Sequence, residues 1–154
     1  MLNKKIEWDS AKRVVKDLQA AGKKIVFTNG CFDIIHKGHV ELLEHARKLG
    51  DYLLVGLNSD TSVRSLKGNE RPINPVDARI AVLSAICFVD GIVVFDQTTP
   101  YELLSVVQPC ILVKGGDYIK QDVIGKEFVS EVVTIPFVAG CSTTKIIDKI
   151  RRVL

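Results

Sequence analysis

Asn29-Gly30-Cys31-Phe32-Asp33-Ile34-Ile35-His36-Lys37-Gly38-His39 is the stretch whose residue types and spacing offer chemistry. The run Lys24 to Thr28, rich in β-branched and aromatic residues, leads into it, and a helical pattern follows. A strand, a glycine turn and a helix start in that order leave backbone N–H groups unpaired at the positive end of a helix dipole, which favours an anion. His36 and His39, three residues apart, lie on nearly one face of the helix entry, and Gly38 removes the side chain that would block close approach. Both imidazoles can then donate to one phosphoryl group. Taken alone, Gly30 reads as a turn residue and the histidines as surface or capping residues; the full order of strand, turn, pair and helix favours phosphate chemistry.

Three further stretches carry candidate ligands. Asn58 to Pro75 is the longest polar stretch and reads as a loop, in which Lys67 and Arg71 can clamp phosphates while Gly68 permits movement; the bland alternative is a solvated basic loop. Lys114-Gly115-Gly116-Asp117 leaves a strand into a turn where Lys114 can meet phosphate and Asp117 a ribose hydroxyl, or which is an ordinary Gly-Gly turn. Ser142-Thr143-Thr144 opens the last helical pattern, either as a plain N-cap worth about 1 kcal/mol or as a second phosphate-binding helix start.

The elements that must position these residues alternate along the chain. Asp9 or Ser10 can cap a first helix that carries Ala11, Val14, Val15, Leu18 and Ala21 and stops at Gly22, with Trp8 as a core anchor. Lys24 to Thr28 is then the first and central strand. Val40, Leu42, Leu43, Ala46 and Leu49 give an amphipathic helix ending at Gly50, and Tyr52 to Leu57 a strand apolar on successive positions, as in a parallel sheet covered on both faces. A helix begins near Pro75, and Arg79 within it is either a surface charge or reaches back to order the preceding loop. Strands follow at Ile92 to Phe95, Cys110 to Lys114 and Glu131 to Ile135, with a helix between the first two capped by Thr99 and led by Pro100. The pattern predicts an α/β, Rossmann-like, doubly wound sheet, mainly parallel, of about five strands. Neither GxGxxG nor GxxxxGK[ST] occurs, which sets aside dehydrogenases and P-loop enzymes.

Composition bounds the rest. A chain of 154 residues, 47% hydrophobic, suits one domain: residues 1–22 as a packing helix and 23–154 as the catalytic core. A net charge of +3 with dispersed basic residues does not indicate nucleic-acid binding, and a small anionic ligand accounts for it. No apolar run has the length of a membrane span, and the polar start predicts a cytoplasmic protein. Cys31, Cys87, Cys110 and Cys141 lack metal-site spacing and read as buried reduced thiols, with no structural metal.

The motif His36-Lys37-Gly38-His39 resembles the HxGH signature of the nucleotidyltransferase superfamily, and the longer GCFDIIHKGH looks like its branch of cytidylyltransferases and sugar-phosphate adenylyltransferases. SDxSVRxLKGxxRPI, VKGGDY and the segment from Pro136 through Ser142-Thr143-Thr144 resemble the heptose-phosphate adenylyltransferases, so the likeness runs from Lys24 onward. Many cytidylyltransferases carry an arginine in an RTxGIST-like string where this chain has Phe137. The resemblance implies transfer of AMP from ATP to a sugar 1-phosphate, foremost D-glycero-β-D-manno-heptose 1-phosphate, giving ADP-heptose and pyrophosphate. It implies catalytic roles for His36, His39, Lys67 and Arg71, and nucleotide binding by Asn29, Gly30, Cys31, Phe32, Gly38, Lys114, Gly115, Asp117, Ser142, Thr143 and Thr144. Mg²⁺ is expected through the phosphates rather than on protein ligands, and a homodimer is what the family suggests. Other readings are a cytidylyltransferase, an adenylyltransferase with another phosphate acceptor, and a non-catalytic nucleotide-binding module.

The chemistry stands without the name. A sugar phosphate has its second pKa near 6, about one unit below neutrality, so it needs no protein base to attack in line. What the reaction needs is stabilisation of charge on nonbridging and pyrophosphate oxygens.

Overall fold

Ile25–Gly30 forms β1, and its residues alternate between two apolar layers: Val26 packs with one, Ile25 and Phe27 with the other. In the computed structural model residues 3–116, 119, 122–136, 140 and 142–153 are described. Among them, β1 pairs in parallel with β2 (Tyr52–Asn58) and β4 (Ile111–Gly115). β3 (Gly91–Phe95) adds to β2 and β5 (Glu131–Ile135) to β4, giving the order β3-β2-β1-β4-β5. The expected parallel, doubly wound α/β sheet with a central first strand is therefore present. Cross-sheet register puts Asn29 beside Gly56 and Thr28 beside Val113, so the carboxyl ends of β1, β2 and β4 open on the same side.

One face is covered by α2 (Lys37–Arg47) and α4 (Val76–Ala85), whose Leu43, Ala46, Ile80 and Leu83 pack on Val26, Val55, Leu57 and Val113. The other face receives α1 (Trp8–Ala20) and α5 (Tyr101–Val107), through Ala11, Val15, Leu103, Leu104 and Val107 on Ile25, Phe27, Leu54 and Leu112. Such near-complete coverage is why the strands read as continuous apolar runs instead of alternating ones. Trp8 packs against the second layer, as an anchor would. Residues ahead of α1 border β3: Ile6 N–H donates to Ile92 at 2.7 Å and Ile92 N–H to Lys4 at 2.9 Å, which covers an otherwise open strand edge.

The stretch after β2 departs from the loop expected there. Asp60–Lys67 is a helix, α3, because Ser59 accepts from the Ser62 amide at 3.2 Å as its cap and Val63 supplies a fully buried apolar contact. Caps differ elsewhere as well. Glu7, not Asp9 or Ser10, precedes α1 with no side-chain cap bond, and Asp9 lies in the first turn, where its charge suits the dipole. Pro75 and Pro100 occupy the cap positions of α4 and α5, so Thr99 is not the cap. α1 ends at Ala20, with Gly22 at φ 76° turning the chain toward β1. The thiols are not buried either: Cys31 and Cys110 are half-buried and Cys87 is exposed, while Cys141 lies outside the described residues.

Gly50, after α2, is required for close approach. A Cβ there would stand 2.5 Å from the carbonyl oxygen of Lys24 and 2.7 Å from Val26 Cγ2. Lys24 is held in turn, since its carbonyl accepts from Asp51 N–H at 2.8 Å. Gly50→Ala is therefore expected to destabilise the fold by about 1–3 kcal/mol, because backbone cannot yield as a side-chain tip can. Urea denaturation measures this, and a loss under about 0.5 kcal/mol would show that the α2–β2 turn is not tightly held.

Candidate active site

A cleft of about 770 Å³ opens beyond the carboxyl ends of the strands. Its floor is Asn29 and Gly30 from the end of β1, with Cys31 and Phe32 following. Phe32 takes φ 43°, uncommon for a residue with a side chain, and is 3% exposed. Its ring lies where a Cβ on Gly30 would come within 3.1 Å of it, and 5.1 Å from the His39 ring centroid. Gly30 thus serves Phe32, and Phe32 supports His39.

His36 stands at the cap position of α2 with φ −142° and makes no side-chain cap bond, which leaves its ring to the cleft. The His36 and His39 rings stack at 3.8 Å between centroids, 22° from parallel. Each Nδ1 is buried without a hydrogen-bond partner. Burial pushes the His36 pKa down, and it takes His39 to about 4, with the neighbouring His36 adding to the fall and the Ile34 carbonyl opposing it. His39 is therefore a neutral imidazole at pH 7. At the start of α2, the pair presents neutral rings to the cleft that are held in place by packing, so that their donors need not reorganise when an anion arrives.

Cations come from two sides. Lys67 ends α3, and Arg71 follows it; both line the cleft. Arg71 Nε is anchored on Asp33 Oδ2 at 2.7 Å, which leaves the rest of its guanidinium fork for other acceptors. Asp33 also accepts from the Ile73 and Asn74 amides at 2.9 and 2.8 Å. Burial works against its charge, but these amides and Arg71 outweigh it and hold the carboxyl below its ordinary 3.8. On the other side Lys114 donates to the Asn29 side chain, and burial lowers its pKa to about 8. Burial likewise pushes the half-buried Cys31 thiol up, so it is a neutral lining group.

The remaining wall is the start of α6 (Thr143–Val153). Ser142 caps it by accepting from Lys145 N–H at 3.2 Å, and Thr143 Oγ1 donates to the Ile34 carbonyl at 3.3 Å, tying this helix start to the histidine turn. Every predicted site residue except one lines the same cleft: His36, His39, Lys67, Arg71, Asn29, Gly30, Cys31, Phe32, Gly38, Lys114, Gly115, Ser142, Thr143 and Thr144. Asp117 lies outside the described residues, as does Phe137.

Arg79 and Asp33 are not among the predicted ligands, and they hold the site together. Arg79 is 1% exposed; Nη1 donates to the carbonyls of Cys31 and Asn58, each at 2.7 Å, Nη2 to Asp60 at 2.7 Å and Nε to the Asn74 carbonyl at 3.1 Å. The available signal is a lone cation beside the apolar run Ile80-Ala81-Val82-Leu83, a position that a solvated charge does not choose. Asn58 and Thr98, which also line the cleft, give no comparable signal.

A cytidylyltransferase-like family model matches residues 27–150. Bifunctional protein HldE from a Nitratiruptor species is 51% identical over 145 residues, covering 94% of this chain and 31% of that protein. The protein of the same name from Wolinella succinogenes is 52% identical over 143 residues, covering 93% and 30%. The chain spans about three tenths of the length of the curated relatives it matches. Among solved structures, the lipopolysaccharide core biosynthesis protein from Thermoplasma volcanium is similar with TM-score 0.62 and 27% identity, over 76% of this chain and 98% of that one. Pantoate-beta-alanine ligase from Francisella tularensis has TM-score 0.63 at 15% identity, covering 86% and 66%, a likeness of fold alone.

The buried imidazoles give a pH prediction. His39 has its folded pKa near 4, below the ordinary 6.5, so the unfolded chain takes up this proton first. Its stabilising contribution is complete above pH 6.5 and is lost as pH falls from 6.5 toward 4. His39→Gln, which cannot titrate, should therefore lose less stability than the parent across that interval. Chemical denaturation at stepped pH checks this, and parallel curves would show that His39 is not held neutral.

Proposed function

The chain belongs to the cytidylyltransferase-like family, and from that premise we propose that it transfers AMP from ATP to D-glycero-β-D-manno-heptose 1-phosphate, releasing ADP-heptose and pyrophosphate. The observation that carries the reading is the stacked His36–His39 pair at the start of α2, in a cleft that Lys67, Arg71 and Lys114 flank. The heptose acceptor comes from the likeness of the motifs around Lys67, Lys114 and Ser142, and from about 50% identity to the HldE proteins.

In this reading the acceptor phosphate attacks the α-phosphorus directly. His36 and His39 donate to its nonbridging oxygens, Lys67 and Arg71 take charge on the pyrophosphate, and the α6 start with Thr143 and Thr144 receives the triphosphate at its N–H groups. Asn29, Gly30, Cys31, Phe32, Gly38, Lys114 and Gly115 border the nucleotide, and Asp117 takes a ribose hydroxyl. Of the two carboxylates lining the cleft among the described residues, Asp33 is committed to Arg71 and two amides and Glu41 pairs with Lys37 at 3.3 Å. Mg²⁺ would accordingly be held by the phosphates and supply charge neutralisation there. Residues 1–154 act as one nucleotidyltransferase domain in this reading, working as a homodimer in the cytoplasm. Among the described residues no helix is long and apolar enough to cross a membrane.

Pyrophosphate release with heptose 1-phosphate and each of the four nucleoside triphosphates tests the assignment. ATP should give the highest kcat/KM; turnover confined to CTP would overturn the adenylyl reading. His36→Ala and His39→Ala should each reduce kcat by about 10²–10³, or about 2.7–4 kcal/mol, with the melting temperature little changed. Near-normal turnover in either variant would remove that imidazole from charge stabilisation.

A further inference from the structure

Asn58 ends β2, is 3% exposed, and yet lines the cleft. Its surroundings determine which way its amide points. The Ser62 hydroxyl has one proton and donates it to the Gln97 carbonyl at 2.6 Å. Toward Asn58, 2.9 Å away, Ser62 Oγ can therefore only accept, so Nδ2 must face Ser62. Oδ1 takes part in none of the bonds that hold the residue, and the sealed, unpartnered side-chain atoms among the described residues are the two histidine Nδ1 atoms, not this one. The main chain is fixed as well: the Asn58 carbonyl accepts from Arg79 at 2.7 Å, and the next amide, Ser59 N–H, donates to Phe95 at 2.9 Å. The cleft thus meets a rigid acceptor oxygen whose orientation is set by the bond of Ser62 to the Gln97 carbonyl.

We propose that Asn58 is a specificity-determining residue, its Oδ1 accepting a hydrogen bond from a hydroxyl group of the sugar-phosphate acceptor. A carbonyl oxygen repels deprotonated phosphate and attracts a donor, so this part of the cleft suits the polyol end of a substrate. Strand order says whose hydroxyl it is. β2 lies on one side of β1, whereas β4, with Lys114 and Gly115, lies on the other. The His36–His39 turn follows β1, between them. With the base and ribose on the β4 side, the hydroxyl that meets Asn58, beyond the His36–His39 turn, belongs to the acceptor. Thr98, next to the Gln97 that anchors Ser62, lines the same side and extends this polar wall. A site built to pair with a hydroxyl rejects an analogue lacking it, because its own polar atom is then left dry.

This inference rests on the sugar-phosphate reading above, and the experiment separates the two. Steady-state kinetics are measured for the parent chain, Asn58→Ala and Ser62→Ala with ATP and heptose 1-phosphate, and with a panel of its monodeoxy analogues. In Asn58→Ala the acceptor KM should rise roughly 10- to 100-fold, with the ATP KM unchanged. The parent should reject one monodeoxy analogue by a similar factor, and Asn58→Ala should treat that analogue and the full sugar alike. Ser62→Ala keeps Asn58 but frees its amide to turn, and should weaken the same discrimination while melting as a folded protein. A rise in ATP KM instead would assign the hydroxyl to the nucleotide and overturn the proposal. So would equal discrimination in parent and Asn58→Ala; should that variant not fold, unchanged discrimination in Ser62→Ala decides against it alone. A parent chain inactive on every sugar 1-phosphate would remove the functional reading and this inference with it.

Discussion

The Arg79 guanidinium is the constraint on which the cleft depends. Desolvating a full positive charge is costly, and it persists in an interior only when its N–H groups are matched. Here the matching groups are the carbonyls of Cys31, Asn58 and Asn74 and the Asp60 carboxylate, drawn from the end of β1, the end of β2, the approach to α4 and the start of α3. Each of these segments would otherwise leave an acceptor unpaired at a loop. One side chain therefore fixes the mutual positions of these segments, the farthest of which lies 48 residues from it in sequence.

Asp33 is its complement. It gathers Arg71 and the Ile73 and Asn74 amides around one carboxylate, and Asn74 Nδ2 returns a bond to the Asp33 carbonyl at 2.7 Å. Asn74 belongs to both knots, donating to Asp33 and accepting from Arg79. The histidine turn and the basic segment after α3 are consequently one unit. A cation such as Arg71 on a free loop would have to be ordered as substrate binds; anchored through Nε, it loses little further entropy at that moment.

Much of this is legible in the sequence because it obeys local rules. The strand, glycine turn and histidine spacing of Asn29 to His39 place the cleft floor, and continuous apolar runs announce a sheet covered on both faces. What escapes is tertiary. α3 is eight residues long and polar in six, so periodicity carries little signal, and its cap at Ser59 and single deep contact at Val63 emerge only against the sheet. Arg79 stands between two readings because charge in a helix is ordinarily solvated; three of its four acceptors lie 19 to 48 residues away in sequence. Asn58 leaves no mark at all, since neither its burial nor its proton bookkeeping with Ser62 and Gln97 has any local trace.

The distribution of charge explains why such extensive bracing is present. The cleft holds no nucleophile poised beside a base among its described residues; its centre is the neutral His36–His39 pair, flanked by cations and helix N-termini, and its two carboxylates are already paired. Sites of this kind act by stabilising charge that appears elsewhere, and their strength depends on donors that do not move when it appears. Two neutral rings stacked at 3.8 Å, backed by Phe32, cost little electrostatic repulsion while the cleft is without an anion. A pair of imidazolium ions at that distance would repel, and the depressed His39 pKa expresses burial together with that repulsion. Rigid neutral donors at the centre, with positive charge kept to Lys67, Lys114 and the held fork of Arg71 around them, let the cleft receive a polyanion with few fixed charges of its own.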